Sequence, residues 1–243
     1  MLEVITFAII NGFSVVLGAI IGVFGELKQK IIAAFMAFGS GILICTLTFG
    51  LMEEAFRHGG FDAIIIGFLF GGLLFIIGDY LIHLFGGRKH RRHQLSRYQG
   101  DPNSLMIVLG SVLDGIPESI ALGITLFTNR EIGLMLITAI FISNFPESIS
   151  SVNGLKKEGF SRSKILFIWI SVGVFMALAT VLSFLFLHNL NPNTIGILEA
   201  LAAGAILAML ADSMIPEAYK EGGYAIGMLT VLGFLVAFIL SRL

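Results

Sequence analysis

Long apolar runs, rather than a period of two or of three to four residues, organise this chain. Eight of them stand between short polar breaks: Val4–Phe24, Ile31–Phe56, Ala63–Phe85, Ser104–Thr128, Ile132–Asn153, Ile165–Leu187, Thr194–Tyr219 and Gly223–Leu240. A bilayer core takes about 20 apolar residues per spanning helix. Within it every backbone polar group must be paired inside the protein, which leaves helices and closed barrels as the spanning structures. These runs are too long and too continuous for barrel strands. The pattern predicts an all-α integral membrane protein of eight transmembrane helices, forming a single transmembrane domain over residues 1–243. The first run lacks a basic leader and a small-residue cleavage site, so it reads as a spanning helix.

Composition agrees with that reading. The 243 residues are 56% hydrophobic and only 13% charged, against about 25% charged in soluble domains, so the solvent is largely lipid. A net charge of -1 says little about partners; a soluble nucleic-acid binder would need a basic surface, and this chain does not read as one. Cys45 is the single cysteine, and within an apolar run it reads as helix packing.

The basic residues orient the helices. Twelve of the 15 Lys and Arg residues fall in the first, third, fifth and seventh connections; only Arg57, Arg130 and Arg242 fall on the other side. By the positive-inside rule the twelve are cytoplasmic. Both termini are then outside, and an even number of crossings agrees in putting them on one side. The one long connection, 86–103, is a cytoplasmic basic loop carrying Arg88, Lys89, Arg91, Arg92 and Arg97.

Two internal repeats are legible. A constant offset of 163 residues aligns Gly41 with Gly204 and Glu54-Ala55-Phe56-Arg57 with Glu217-Ala218-Tyr219-Lys220. A second repeat aligns Asp114-Gly-Ile-Pro-Glu118-Ser with Ser143-Asn-Phe-Pro-Glu147-Ser. The first joins spans 2 and 7 and the second joins spans 4 and 5, so each pair crosses the membrane in opposite senses. This predicts an inverted repeat of three helices, a central pair and three helices, an architecture that transporters use. Spans 1 and 6 show no match of this kind.

The chemistry sits where proline precedes glutamate: Pro117-Glu118, Pro146-Glu147 and Pro216-Glu217. Proline removes a backbone donor and frees the carbonyl one turn earlier. At membrane depth such carbonyls are tolerated only where they line a cavity or find partners. An ionisable residue in a span marks an ion or substrate path by default. Asp114 and Glu118 are one turn apart on one face, as are Ser143 and Glu147, with Asn144 beside them. Antiparallel spans 4 and 5 would gather Asp114, Glu118, Ser143, Asn144 and Glu147 into one cation site. All are oxygen donors, which suit harder cations such as Mn²⁺, Mg²⁺ or Fe²⁺. Glu54, Asp212 and Glu217 are candidates for a secondary site or for the path to it. Asp79 and Glu199 read as interfacial.

These residues resemble the ZIP (Zrt/Irt-like) family of metal-ion transporters over nearly the whole chain. That family has eight spans with both termini outside, H-N-x-P-E-G-like motifs in spans 4 and 5, P-E-A near the end of span 7, and a His-containing loop between spans 3 and 4. The equivalents here are Asp114-Gly-Ile-Pro-Glu-Ser, Ser143-Asn-Phe-Pro-Glu-Ser, Pro216-Glu217-Ala218, and His90 with His93. The leading histidine of each motif is replaced, and Gly115 stands for an asparagine that helps hold a second metal in the family. The resemblance implies a non-enzymatic transporter in the cell membrane. It would carry a divalent metal (zinc, manganese or iron) into the cytoplasm as cargo, with no resident cofactor. The expected partners are the metal and the lipid bilayer, with a homodimer left open. Alternatives are transport of protons or an organic cation on the same fold. An intramembrane enzyme is a further one, which the lack of a nucleophile-base pair argues against.

Overall fold

The computed structural model describes residues 1–82, 84, 104–187 and 190–242. His90, His93 and the greater part of the basic loop lie outside the described residues. The chain is helical: α1 (Leu2–Phe24), α2 (Gln29–Thr46), a π-helical segment (Leu47–Leu51), α3 (Met52–Ile82), α4 (Ser104–Thr128), α5 (Arg130–Lys157), α6 (Arg162–Phe186), α7 (Pro192–Met209), a second π-helical segment (Leu210–Met214), α8 (Ile215–Gly222) and α9 (Ala225–Leu240). Among the described residues, six continuous helical stretches are long and apolar enough to cross a membrane, with α9 a shorter apolar helix. One of the six, Gln29–Ile82, has 54 residues, which would extend about 81 Å if straight, far beyond a bilayer core. It is not straight. Gly60 has φ 64° and ψ -162° and marks a kink where two helices meet. Gly223 has φ 68° and ψ -149° between α8 and α9. That backbone region is open essentially to glycine alone.

The helix ends follow ordinary capping chemistry. Asn129 separates α4 from α5 and caps α5, its Oδ1 accepting from the backbone N–H of Glu131 at 3.1 Å. Asn191 caps α7, accepting from Thr194 N–H at 2.8 Å, and Pro192 takes the first helical position, where its missing donor costs nothing.

The burial pattern is that of a protein dissolved in lipid. Asn11, Ser14, Ser40, Ser119, Ser143 and Glu199 are buried, while Ile66, Leu69, Phe167, Leu182 and Met228 face outward. Two groups of helices form. In one, α1 packs on α5 and α6, and α4 packs on α5 and α6; in the other, α3 runs along α7 and α2 along α9. The groups meet where α2 crosses α5 and α7 crosses α4. Glycines set these contacts by close backbone approach. A Cβ at Gly71 would strike the Leu201 carbonyl oxygen, and one at Gly204 the Phe68 carbonyl oxygen; one at Gly41 would strike that of Thr230, and one at Gly233 that of Phe38. Gly12 and Gly173 meet each other in the same way, joining α1 to α6.

The polar ends gather in two sets. Arg130 pairs with Glu3, and Ser241, Arg242, Glu53, Glu54 and Asn129 line one cavity, so both termini share an end with the α4–α5 turn. At the other end Lys156 Nζ donates to the Gly22 carbonyl at 3.1 Å, and the Arg162 guanidinium lies over the Phe24 ring.

Overfilling the glycine contacts is expected to cost stability. Gly71→Ala and Gly204→Ala should each destabilise the protein by about 1–3 kcal/mol, as overpacking does. Gly227, with nothing within 4 Å of its Cβ position, should tolerate alanine within about 0.5 kcal/mol. Thermal unfolding of the purified variants checks this; equal melting temperatures for Gly71→Ala and Gly227→Ala would contradict the packing described.

Candidate metal-ion site

The single-residue turn at Asn129 makes α4 and α5 antiparallel neighbours. Counting outward from it, Glu118 and Asp114 lie 11 and 15 residues back, and Ser143 and Asn144 lie 14 and 15 residues on. At 1.5 Å per residue these positions fall at similar depths, about 16–23 Å from the turn. Each helix carries its proline there, Pro117 in α4 and Pro146 in α5. Pro117 supplies no N–H to the Leu113 carbonyl and Pro146 none to that of Ile142. Both freed carbonyls therefore immediately precede a polar residue of the group, Asp114 or Ser143.

The structure brings four of the five expected residues into mutual influence. Glu118 is 1% exposed and both its carboxylate oxygens are buried without a hydrogen-bond partner. Asn144, Asp114 and Ser143 are the polar groups that act on it. Ser143 Oγ donates to the Ile140 carbonyl at 3.0 Å, which turns its lone pairs away from that backbone contact. Asn144 Nδ2 is buried and also lacks a hydrogen-bond partner. Glu147 stands one turn beyond Ser143 and is half-buried. Among the described residues, no three His, Cys, Asp or Glu side chains gather within metal-holding reach. The cluster is thus two carboxylates, a hydroxyl and an amide beside two prolines inside helices.

Its walls come from three other helices. Gly39 of α2 lies against Ser143: a Cβ there would come within 3.2 Å of the serine Cα. Asn11 of α1 donates through Nδ2 to Ser119 Oγ and to Thr180 Oγ1, both at 3.0 Å, tying α4 and α6 beside the cluster. Gly115 faces Met176 of α6, whose Cε lies where a side chain at 115 would begin.

The other expected residues lie elsewhere. Glu54 is buried and accepts from Asn129 Nδ2 at 2.8 Å. Glu217 is half-buried and accepts from Ser150 Oγ at 2.7 Å. Asp212 is exposed within the second π segment.

One acid that the sequence placed at an interface is wholly buried. Glu199 of α7 is 0% exposed, with Oε2 2.9 Å from His58 Nδ1 of α3. The sequence did hold a signal for it. Gly196, Glu199 and Ala200 lie on one side of α7 at helical spacing, and there Gly196 meets Gly59 and Ala200 meets Gly67 of α3. Asp79 of α3 is likewise buried.

The family described as ZIP Zinc transporter matches residues 86–241. The zinc transporter ZupT of Enterobacter sp. (strain 638) is 26% identical over 222 residues, covering 86% of this chain and 84% of that protein. The zinc transporter GufA of Myxococcus xanthus is 28% identical over 179 residues, covering 72% and 68%. The putative zinc transporter At3g08650 of Arabidopsis thaliana is 23% identical over 208 residues, covering 84% of this chain and 33% of that protein. With six membrane-crossing stretches among its described residues and a family match over more than half its length, this chain is a multi-pass membrane protein that belongs to the ZIP family, a family of transporters rather than enzymes.

Proposed function

We propose that this protein carries a divalent metal ion into the cytoplasm through the cluster between α4 and α5. The observation that carries the reading is Glu118: a buried carboxylate beside Asp114, Ser143 and Asn144, next to two helix-interior prolines, in a ZIP-family chain. The curated relatives are named as zinc transporters. The donors here are all oxygen, so manganese or iron(II) should compete with zinc better than at a site containing imidazole. Glu147, one turn from Ser143, completes the ligand set as the ion enters. Gly115 supplies no side-chain ligand, and the Met176 methyl occupies the space beside it.

The same reading takes the chain as eight spans, with the kink at Gly60 separating spans 2 and 3, arranged as three helices, a pair and three helices. Several features recur at an offset of 163. Gln29, which starts α2, matches Pro192, which starts α7; the π segment Leu47–Leu51 matches Leu210–Met214; and Gly60 matches Gly223. Contacts recur too, since α2 on α9 mirrors α7 on α3. The excess of Lys and Arg at the end away from the termini puts that end in the cytoplasm. An impermeant thiol reagent added to intact cells should leave a cysteine at Ser96, in a Cys45→Ser background, unlabelled; ready labelling from outside would reverse the orientation.

Uptake of a panel of metals into proteoliposomes tests the transport reading directly. Wild type should accumulate zinc, manganese or iron(II), and Glu118→Gln should not. Asp114→His exchanges a hard oxygen for an imidazole nitrogen, so the ratio of zinc to manganese uptake should rise several-fold over wild type. A ratio that stays constant, or moves toward manganese, would remove Asp114 from the ligand set.

A further inference from the structure

Two repeat-related acids tie the same helix at its two ends. Glu54 and Glu217 are equivalent at the offset of 163. Glu54 accepts from Asn129, the N-cap of α5. Glu217 accepts from Ser150, in the last part of α5. Asn129 and Ser150 are 21 residues apart, or about 31 Å along the helix, close to the thickness of a bilayer core. Between them lie Ser143, Asn144 and Glu147.

Each acid sits on a similar mount. Glu54 follows the π segment Leu47–Leu51 and precedes Gly60; Glu217 follows the π segment Leu210–Met214 and precedes Gly223. Both glycines have positive φ. Each acid therefore rides on about two helical turns, with a π segment on one side and a left-handed glycine on the other. π segments recur at functional sites, and irregular backbone of this kind marks places where helices reorient. Arg57 steadies the first mount, donating to Glu53 at 2.9 Å and to Glu54 at 3.4 Å.

The two hydrogen bonds also join the two helix groups. Asn129 and Ser150 belong to the α4–α5 turn and α5; Glu54 and Glu217 belong to the group of α2, α3, α7 and α8. We propose that Glu54 and Glu217 are paired latches that hold the two ends of α5 against the other helix group, and that release of either one opens the ion site toward that end of the bundle. With both closed, as here, Glu118 is sealed from both sides. The idea deepens the transport reading and rests on it for what passes through.

Asn129 allows a decisive test, because its two functions separate. Its Oδ1 caps α5 and its Nδ2 holds Glu54. Asn129→Asp keeps a capping oxygen, removes the donor, and sets two carboxylates face to face. Adding Glu54→Gln rebuilds the bond with donor and acceptor exchanged. The reporter is Thr46→Cys in a Cys45→Ser background, since Thr46 is buried and lines the cavity beside Glu54. The readout is the rate of maleimide labelling of purified protein in detergent without metal.

Glu54→Ala and Asn129→Asp should each raise that rate roughly tenfold, the population change expected from losing one charge-assisted hydrogen bond. The reversed pair Glu54→Gln/Asn129→Asp should bring it back to within about twofold of the reporter alone. Glu217→Ala, which frees the other end, should not raise it. Three results overturn the latches: unchanged labelling in Glu54→Ala and Asn129→Asp, no restoration by the reversed pair, or a rise with Glu217→Ala as large as with Glu54→Ala. If Glu54→Ala fails to fold, Asn129→Asp against the reversed pair decides. Because no metal is used, a chain that moves no divalent ion fails the uptake experiment and can still pass this one. Normal uptake with unmoved labelling removes the latches alone.

Discussion

A carboxylate deep in a helical bundle surrounded by lipid is the constraint that the rest of this molecule answers. Such a group costs several kcal/mol unless its charge is met by a cation, a proton or converging dipoles. Glu118 is nearly sealed from solvent. The chain surrounds it with the few groups able to share a charge: a second acid one turn earlier, and a serine and an asparagine from the antiparallel partner helix. Everything nearby keeps the cluster at the seam of the bundle. The turn at Asn129 sets the register, Gly39 lets the α2 backbone reach Ser143, and Asn11 ties α4 to α6.

The second organising fact is a recurrence along the chain. Helix starts, π segments and left-handed glycines recur at one offset, and so do the acids that follow the π segments. On the proposed reading the recurring halves are inverted, which lets a bundle present similar geometry to the two faces of a membrane, as alternating access through a fixed site requires. The asymmetry that remains lies in the partners. Glu54 meets an amide at the start of α5, whereas Glu217 meets a hydroxyl near its end.

Much of this was legible in the sequence, for physical reasons. The apolar runs had to be helices, because lipid offers the backbone no partners. Pro-Glu inside such runs is too costly to be incidental, so the central cluster could be read from residues 114–118 and 143–147. The repeat of Glu54 with Glu217 was visible because its E-A-aromatic-basic pattern is distinctive. What stayed hidden was set by packing alone. The pairing of α1 with α6 rests on Gly12 against Gly173, with nothing in the neighbouring sequence to mark it. Glu199 looked interfacial by its place early in a span, yet small residues on its own face and on α3 let the helices close over it, with His58 as its partner. The π segments leave no composition signature, so the mounts of Glu54 and Glu217 emerge only from backbone geometry.

The central claim is that the ion is held by oxygens alone, between α4 and α5. X-ray absorption at the metal edge of purified protein loaded with one equivalent of zinc tests it most directly. The account predicts a first shell of oxygens at about 2.0–2.2 Å, without the outer-shell scattering of an imidazole ring, and loss of that bound metal in Glu118→Gln. Imidazole scattering in the wild-type protein, or an unchanged signal in Glu118→Gln, would contradict it.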